Sequence, residues 1–167
     1  MLEQYLEKII LDFCSYYGRS AEVSSFENGK VPVVQIKGCQ EPVKGLRNVV
    51  SAVGNVSNKS SEESAVLDQW VEYAVTNAAY LQNSSNLTHI LKELNGYLSD
   101  KVYFMGSKLT PVDVLLYLFI HDAMVALSFQ EKESYLNVSR WFNHIQQDQK
   151  IRSGRVPIHF SRTRLYA

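Results

Sequence analysis

"LTPVDVLLYLFIHDAM", residues 109–124, is the most apolar stretch of the chain, yet it opens on a threonine, a proline and an aspartate. That opening marks the start of a helix that has to be buried. Thr110 stands at the N-cap, where its side chain can meet the amide of Asp113 while the Asp113 carboxylate returns to the amide of Thr110. Pro111 takes the first helical position, where its fixed φ suits a helix and no hydrogen bond is lost. An exposed helix leaves its first amides to water. A core helix cannot, because each orphaned donor costs about 1–3 kcal/mol. From Val112 to Leu127 only Asp113, His121 and Asp122 carry charge-bearing side chains, so the pattern predicts a central helix surrounded by others.

Its neighbours are legible from apolar spacing. In "LNVSRWFNHIQQDQ", residues 136–149, Val138, Trp141, Phe142 and Ile145 form a buried stripe and Arg140, Asn143, His144 and Gln147 the opposite face. A loop is expected around "SFQEKESY", residues 128–135. Upstream, Leu87, Ile90, Leu91, Leu94, Tyr97 and Leu98 repeat at helical spacing behind a cap at Asn86. Before them Val66, Trp70, Tyr73, Ala74, Asn77 and Leu81 make one face of a long helix, introduced by a capping box of Ser60 and Glu63. From Ser60 onward only helices are expected.

The first part of the chain is different. Leu2, Tyr5, Leu6, Ile9 and Phe13 predict an opening helix, with Gly18 as its stop. Val33, Val34 and Ile36 predict a strand with Pro32 at its entrance, and "EPVKG", residues 41–45, a second brief extended piece. A short helix follows, with Leu46, Val49, Val50 and Val53 facing inward. "NVSNKSSEES", residues 55–64, is polar and rich in Ser and Asn. The expected organisation is α+β: a mixed part over 1–56, a linker over 57–64 and an all-helical part over 65–167.

Composition narrows the function. Across 167 residues the formal net charge is zero and the apolar fraction 46 %, which fits a soluble globular protein with no direct nucleic-acid contact. The longest apolar run, Val114 to Ile120, is too short for a bilayer, and the amphipathic start is unlike a signal peptide, so a cytosolic protein is expected. Cys14 and Cys39 have neither redox nor metal spacing and are expected as buried or partly buried thiols. The N-x-S/T triplets at Asn55, Asn58, Asn83, Asn86 and Asn137 then serve turns and caps, with no sugar attached. Lys150, Arg152, Arg155, Arg162 and Arg164 make the end of the chain basic; it either packs on an acidic face or docks RNA or an acidic partner. Chemical constellations are lacking. His121 and Asp122 are adjacent on a helix and point about 100° apart, which argues against a dyad. His89, His144 and His159 have no metal-ligand spacing, and no phosphate loop is present, so neither metal nor cofactor is expected.

A small mixed part before a helical one, with Thr-x-x-Asp opening a buried helix, resembles the glutathione transferase fold. "YFMGSKLTPVDVLLY", residues 103–117, is similar to that family's local signature, and "KVPVV", residues 30–34, to the place of its cis-proline, which implies that role for Pro32. "LDQWVEYAV", "LKELNGYLSDKVYFMG" and "EKESYLNVSRWFNHIQ" resemble, over roughly residues 30 to 152, the transferase-like auxiliary subunits of the multi-aminoacyl-tRNA synthetase complex. The resemblance implies a truncated thioredoxin-like first domain lacking its leading strand, followed by the all-helical one.

It also implies a non-catalytic adaptor with two docking surfaces. One, around Arg47, Val50 and Trp70 to Tyr73, would meet a module of methionyl-tRNA synthetase. The other, centred on Arg140 with Asn143, His144 and Gln147 beside it, would meet one of glutamyl-prolyl-tRNA synthetase. Other subunits of the complex, nuclear access and DNA-damage-response kinases belong to the same implication. The alternative is a glutathione transferase-type enzyme. That chemistry needs a hydroxyl or thiol at the end of a leading strand, whereas Tyr5, Cys14, Ser15, Tyr16 and Tyr17 lie in or just after the opening helix. It also needs a polar pair where this chain has "VKGL", residues 43–46.

Overall fold

Helix α1 (Leu2–Tyr16) comes first in the computed structural model, which describes residues 2–28, 31–54, 60–81 and 84–160. It buries Leu6, Ile9, Ile10, Phe13 and Cys14 and stops at Gly18, whose φ of 69° few other residues would adopt at so little cost. Three strands follow, β1 (Ala21–Glu27), β2 (Val31–Ile36) and β3 (Val43–Lys44), in an antiparallel sheet of that order.

Two expectations fail in this sheet. β1 occupies a segment with no expected element. Its inward alternation starts at Ala21 and Val23, is broken by an irregularity between Val23 and Ser25, and resumes out of phase at Phe26. Pro32 is not a cis-proline, for the described residues contain no cis peptide bond. It stands near the entrance of β2 opposite Phe26, and its carbonyl accepts the amide of Gly45 at 2.8 Å. A strand running straight through an X-Pro bond takes the trans form that such bonds generally prefer.

Helix α2 (Leu46–Val53) turns Leu46, Val49, Val50 and Val53 inward, as expected. Residues 57–59 of the expected linker lie outside the described residues, as do 55 and 56 before it; Ser60 is the N-cap of helix α3 (Ser61–Asn77), whose first turn takes up 61–64. Its capping box is formed: Glu63 donates its amide to Ser60 Oγ and Ser60 its amide to Glu63 Oε2, each at 3.2 Å. The buried stripe is Leu67, Trp70, Val71 and Ala74, rotated from the expected one, and Val66, Tyr73 and Asn77 are only half-buried. A 3₁₀ turn (Ala78–Tyr80) precedes helix α4 (Ser84–Tyr97), of which Asn86 is the third residue and therefore no cap.

Helix α5 (Pro111–Ala126) is buried without a break from Pro111 to His121 and packs against α1, α3 and α7. Where a loop is expected there is a short helix, α6 (Phe129–Ser134). It buries nothing and is held by a capping box of Ser128 and Glu131. Helices α7 (Leu136–Ile145) and α8 (Gln149–Arg152) complete the order. A small antiparallel sheet with a surround of helices is an α+β arrangement compatible with a glutathione-transferase-like fold.

Candidate functional site

Asp113 is the point from which the site is built. It is fully buried at the head of α5, and both carboxylate oxygens are saturated. Oδ2 accepts the amide of Thr110 at 3.0 Å and its hydroxyl at 2.8 Å. Oδ1 accepts the amide of Phe104 and the indole N–H of Trp141, each at 3.0 Å. The expected cap is present, and the same carboxylate also ties a loop and helix α7 to α5. Burial raises its pKa above the ordinary aspartate value, and these donors pull the other way without prevailing.

Helix α7 is pinned along its length. Asn95 of α4 takes the amides of Asn137 at 2.9 Å and Val138 at 3.3 Å on its side-chain oxygen, a cap supplied from another helix. At the far end the buried Gln146 side chain pairs with the backbone of Ile158, donating to its carbonyl at 2.8 Å and accepting its amide at 2.9 Å. Val138, Trp141, Phe142 and Ile145 form the buried side, as the spacing predicts.

The opposite side carries Arg140, Asn143, His144 and Gln147, all exposed. Arg140 Nη2 donates to the carbonyls of Leu98 at 2.9 Å and Lys101 at 2.8 Å, just past the end of α4. His144 Nε2 and the Tyr103 hydroxyl share a hydrogen bond of 2.8 Å. Gln147 Nε2 donates to the Asn143 carbonyl at 3.0 Å, and Asn143 Oδ1 accepts from Gln146 Nε2 at 2.8 Å. The arrangement is a polar face with a guanidinium held in one place, bordered by the exposed apolar Leu136 and Val102. Tyr103 and the carbonyls of Leu98 and Lys101 had no local sequence signal, since they lie some forty residues from their partners.

The second expected surface is less uniform. Val50 is wholly buried and meets no partner; its place on the inward stripe of α2 excludes the surface role implied for it. Arg47 is exposed but engaged within the chain, donating to Asp68 at 2.7 Å, Ser51 at 3.1 Å and Ser64 at 3.2 Å. Tyr73 is half-buried and donates its hydroxyl to Glu93 at 2.9 Å. Trp70 belongs to the core, with its ring against Tyr97 and Phe104.

Of the candidates for thiol-activating chemistry, Tyr16 and Tyr17 meet with their rings edge-on at 4.7 Å, while Tyr5 packs against the core and Cys14 is buried within it. The Tyr5 hydroxyl donates to the Phe119 carbonyl, and burial raises its pKa above the ordinary tyrosine value. Burial likewise pushes the Cys14 thiol up to about 11, and raises Tyr16 and Tyr17. Lys44 pairs with Glu27 at 2.6 Å. His121 and Asp122 do touch, contrary to expectation: Nδ1 and Oδ1 are 3.1 Å apart. The two Cβ bonds diverge as helix geometry requires, and the side chains bend back toward each other. Among the described residues no cluster of three His, Cys, Asp or Glu could hold a metal, and no helix is long and apolar enough to cross a membrane. A cavity of about 690 Å³ lies between α1, the 3₁₀ turn, α5 and α6. It is lined by Leu2, Tyr5, Leu81, Ala126 and Leu127, among others, with Asp122 and Glu131 as its carboxylates.

The basic end of the chain packs, in its described part, on α1. Arg155 pairs with Asp12, and Arg152 Nη1 donates to the Gln146 carbonyl at 3.4 Å. Arg162 and Arg164 lie outside the described residues.

Known proteins match the helical framework that carries this face. A family described as nuclear-export cofactor Arc1p matches residues 63–149, from α3 to the start of α8. Eukaryotic translation elongation factor 1 epsilon-1 of Homo sapiens is 39 % identical over 143 residues, 82 % of each chain, and that of Mus musculus 39 % identical over 144. The bifunctional glutamate/proline–tRNA ligase of Cricetulus griseus is 29 % identical over 92 residues, which are 54 % of this chain and 6 % of the ligase. An identity of that level over four-fifths of both chains decides the matter: the protein belongs to the eukaryotic translation elongation factor 1 epsilon-1 family.

Proposed function

We propose that this protein is a non-catalytic adaptor of the multi-aminoacyl-tRNA synthetase complex, working through surfaces of a glutathione-transferase-like body. The observation that carries the reading is Arg140: exposed on α7, yet fixed by the carbonyls of Leu98 and Lys101. A planar guanidinium whose position is settled before binding loses little freedom on docking, and arginine is enriched among residues that dominate interface energy. The similarity to a stretch of glutamate/proline–tRNA ligase supports a like-with-like contact, in which related modules meet through equivalent faces. The α7 face therefore takes the glutamyl-prolyl-tRNA synthetase module.

The exposed side of α2 and α3, with Arg47 braced on Asp68, takes a methionyl-tRNA synthetase module. The absence of catalysis is argued from the engaged Tyr5 hydroxyl and the suppressed Cys14 thiol, neither of which is suited to generating or stabilising a thiolate. In this reading residues 1–56 and 65–167 act as a thioredoxin-like and a helical domain. The protein works in the cytosol, with access to the nucleus and to DNA-damage-response kinases there.

The test is affinity purification with mass spectrometry under cytosolic salt, followed by titration of the glutamyl-prolyl-tRNA synthetase module against Arg140→Ala. Co-elution of synthetases, and a loss of about 2 kcal/mol in affinity with the fold intact, are expected. No synthetase in the eluate, or undiminished affinity, rejects the reading.

A further inference from the structure

Two pieces of chain meet at the exposed face of α7, and one buried oxygen holds both. Phe104 gives its backbone amide to Asp113 Oδ1, and Trp141 gives its indole N–H to the same atom, each at 3.0 Å. Each donor's preceding residue forms the face. Tyr103, before Phe104, bonds His144, and Arg140, before Trp141, bonds the carbonyls of Leu98 and Lys101. The segment from Leu98 to Phe104 and helix α7 are therefore clamped from below through Asp113 and from above through Arg140 and His144.

The rings around the clamp do not fix this register by themselves. Phe104 meets Trp141 edge-on at 5.0 Å and Trp70 edge-on at 4.7 Å, and stacks on Tyr97 at 5.6 Å, contacts less directional than a hydrogen bond to a carboxylate. The Phe104 carbonyl accepts the Tyr97 hydroxyl at 2.9 Å, which ties this segment to α4. What ties it to α7 from below are the two bonds to the Asp113 carboxylate, which accepts from four donors in all.

We infer that Asp113 is a positioning residue for partner binding: through Phe104 and Trp141 it places Arg140 and Tyr103 on the outer face without touching the partner. This rests on the proposed role of the α7 face and adds to it. The affinity of that face is set by a side chain with no exposed surface.

Trp141→Phe removes the indole donor and keeps a ring in the core; Asp113→Asn removes the charge. Each is compared with the parent, and with Arg140→Ala, for affinity toward the glutamyl-prolyl-tRNA synthetase module. Each is also examined in the unbound state by nuclear magnetic resonance of the Arg140 side-chain N–H and of the two indole N–H groups. The Trp70 indole N–H is buried with no acceptor among the described residues, and its ring lies edge-on to Phe104 at 4.7 Å, so its signal reports on Phe104 while that of Trp141 reports on the bond to Asp113.

Trp141→Phe is expected to weaken binding roughly fivefold or more and to add almost nothing in an Arg140→Ala background, because the two changes remove one interaction. Asp113→Asn is expected to shift the Trp141 indole signal, which loses its charged acceptor, by more than that of Trp70, which feels the change only through Phe104, and to raise the mobility of the Arg140 guanidinium. Losses that multiply with Arg140→Ala overturn the inference, as does a folded Trp141→Phe with parental affinity and an unmoved Arg140 signal. If Arg140→Ala binds like the parent while the Arg140 signal loosens in Trp141→Phe, the docking role of the face fails and the positioning by Asp113 stands.

Discussion

Gly54 and Pro111 touch where the end of α2 meets the beginning of α5: a Cβ on Gly54 would lie 2.7 Å from Pro111 Cγ and 2.7 Å from the Val50 carbonyl oxygen. The backbone at Gly54 has a φ of −78°, which any residue can adopt. Glycine is thus required here by space.

That requirement fixes the sign of a substitution. At an unstrained and open position Gly→Ala stabilises by about 0.4–1 kcal/mol through the unfolded chain. At Gly54 the added methyl group meets a proline ring and a backbone oxygen, neither of which yields easily, and overpacking costs about 1–3 kcal/mol. Gly54→Ala is expected to lower the urea midpoint by a net loss of about 1–2 kcal/mol. A stabilised variant would show that α2 and α5 do not approach so closely.

Arg155 and Asp12 form the ion pair by which the basic end of the chain holds α1, with side chains only 12 % and 24 % exposed. Removing one partner of a buried pair costs about 3–5 kcal/mol because the other charge is stranded. The partial exposure of Asp12 lets water relieve part of that, so Arg155→Met is expected to lose about 2 kcal/mol of unfolding free energy. It should also speed hydrogen exchange at residues 152–158. An unfolding midpoint equal to that of the parent in low salt would mean that the pair adds nothing.

What the sequence made legible was what neighbours in the chain decide. The box of Thr110 and Asp113 and that of Ser60 and Glu63 span three residues each, and both form. The inward stripes of α2 and α7 also follow from periodicity alone. β1 stayed hidden because its irregularity shifts Phe26 out of the alternation that Ala21 and Val23 begin. α6 stayed hidden because six residues with nothing buried leave no apolar stripe to find. Of the candidate site, the face of α7 was visible as a set of residues. Its bracing was not: Trp141 reaches Asp113 across 28 positions and Arg140 reaches Leu98 across 42, distances over which a single sequence carries no pairing signal. Val50 shows the opposite failure, an interface role carried over by resemblance onto a residue that its own stripe places in the core.

The two cysteines differ in a way that labelling reads directly. Cys39 is exposed, at variance with the expectation of two covered thiols, and Cys14 is buried with its pKa pushed up to about 11. Thiolate is the reactive form, so Cys14 is both shielded and almost wholly protonated at neutral pH. A chromogenic disulfide reagent at pH 8 should consume one thiol quickly and the second only as the protein unfolds. Two fast equivalents in the native protein would contradict the packing of α1.

His121 supplies the pH dependence. It lies on α5 with its ring against Tyr117 and Phe142, and its Nε2 is buried with no acceptor or donor among the described residues. Burial lowers its pKa below the ordinary 6.5. Arg155 and Lys8 act in the same direction, and Asp122, bonded to Nδ1, opposes them without prevailing. A lowered histidine pKa means that the unfolded chain takes up a proton before the folded one does. Stability is therefore complete above pH 6.5 and falls as the pH drops from 6.5 toward the folded value, at no more than about 1.4 kcal/mol per pH unit for one proton. Asp122, whose own pKa is lowered from 3.8, contributes its loss only at more acid pH. His121→Phe keeps a ring in the aromatic cluster and removes the titration, so its unfolding free energy should vary less than that of the parent between pH 6.5 and pH 5. Identical slopes for the two proteins over that window would assign the acid sensitivity to another group.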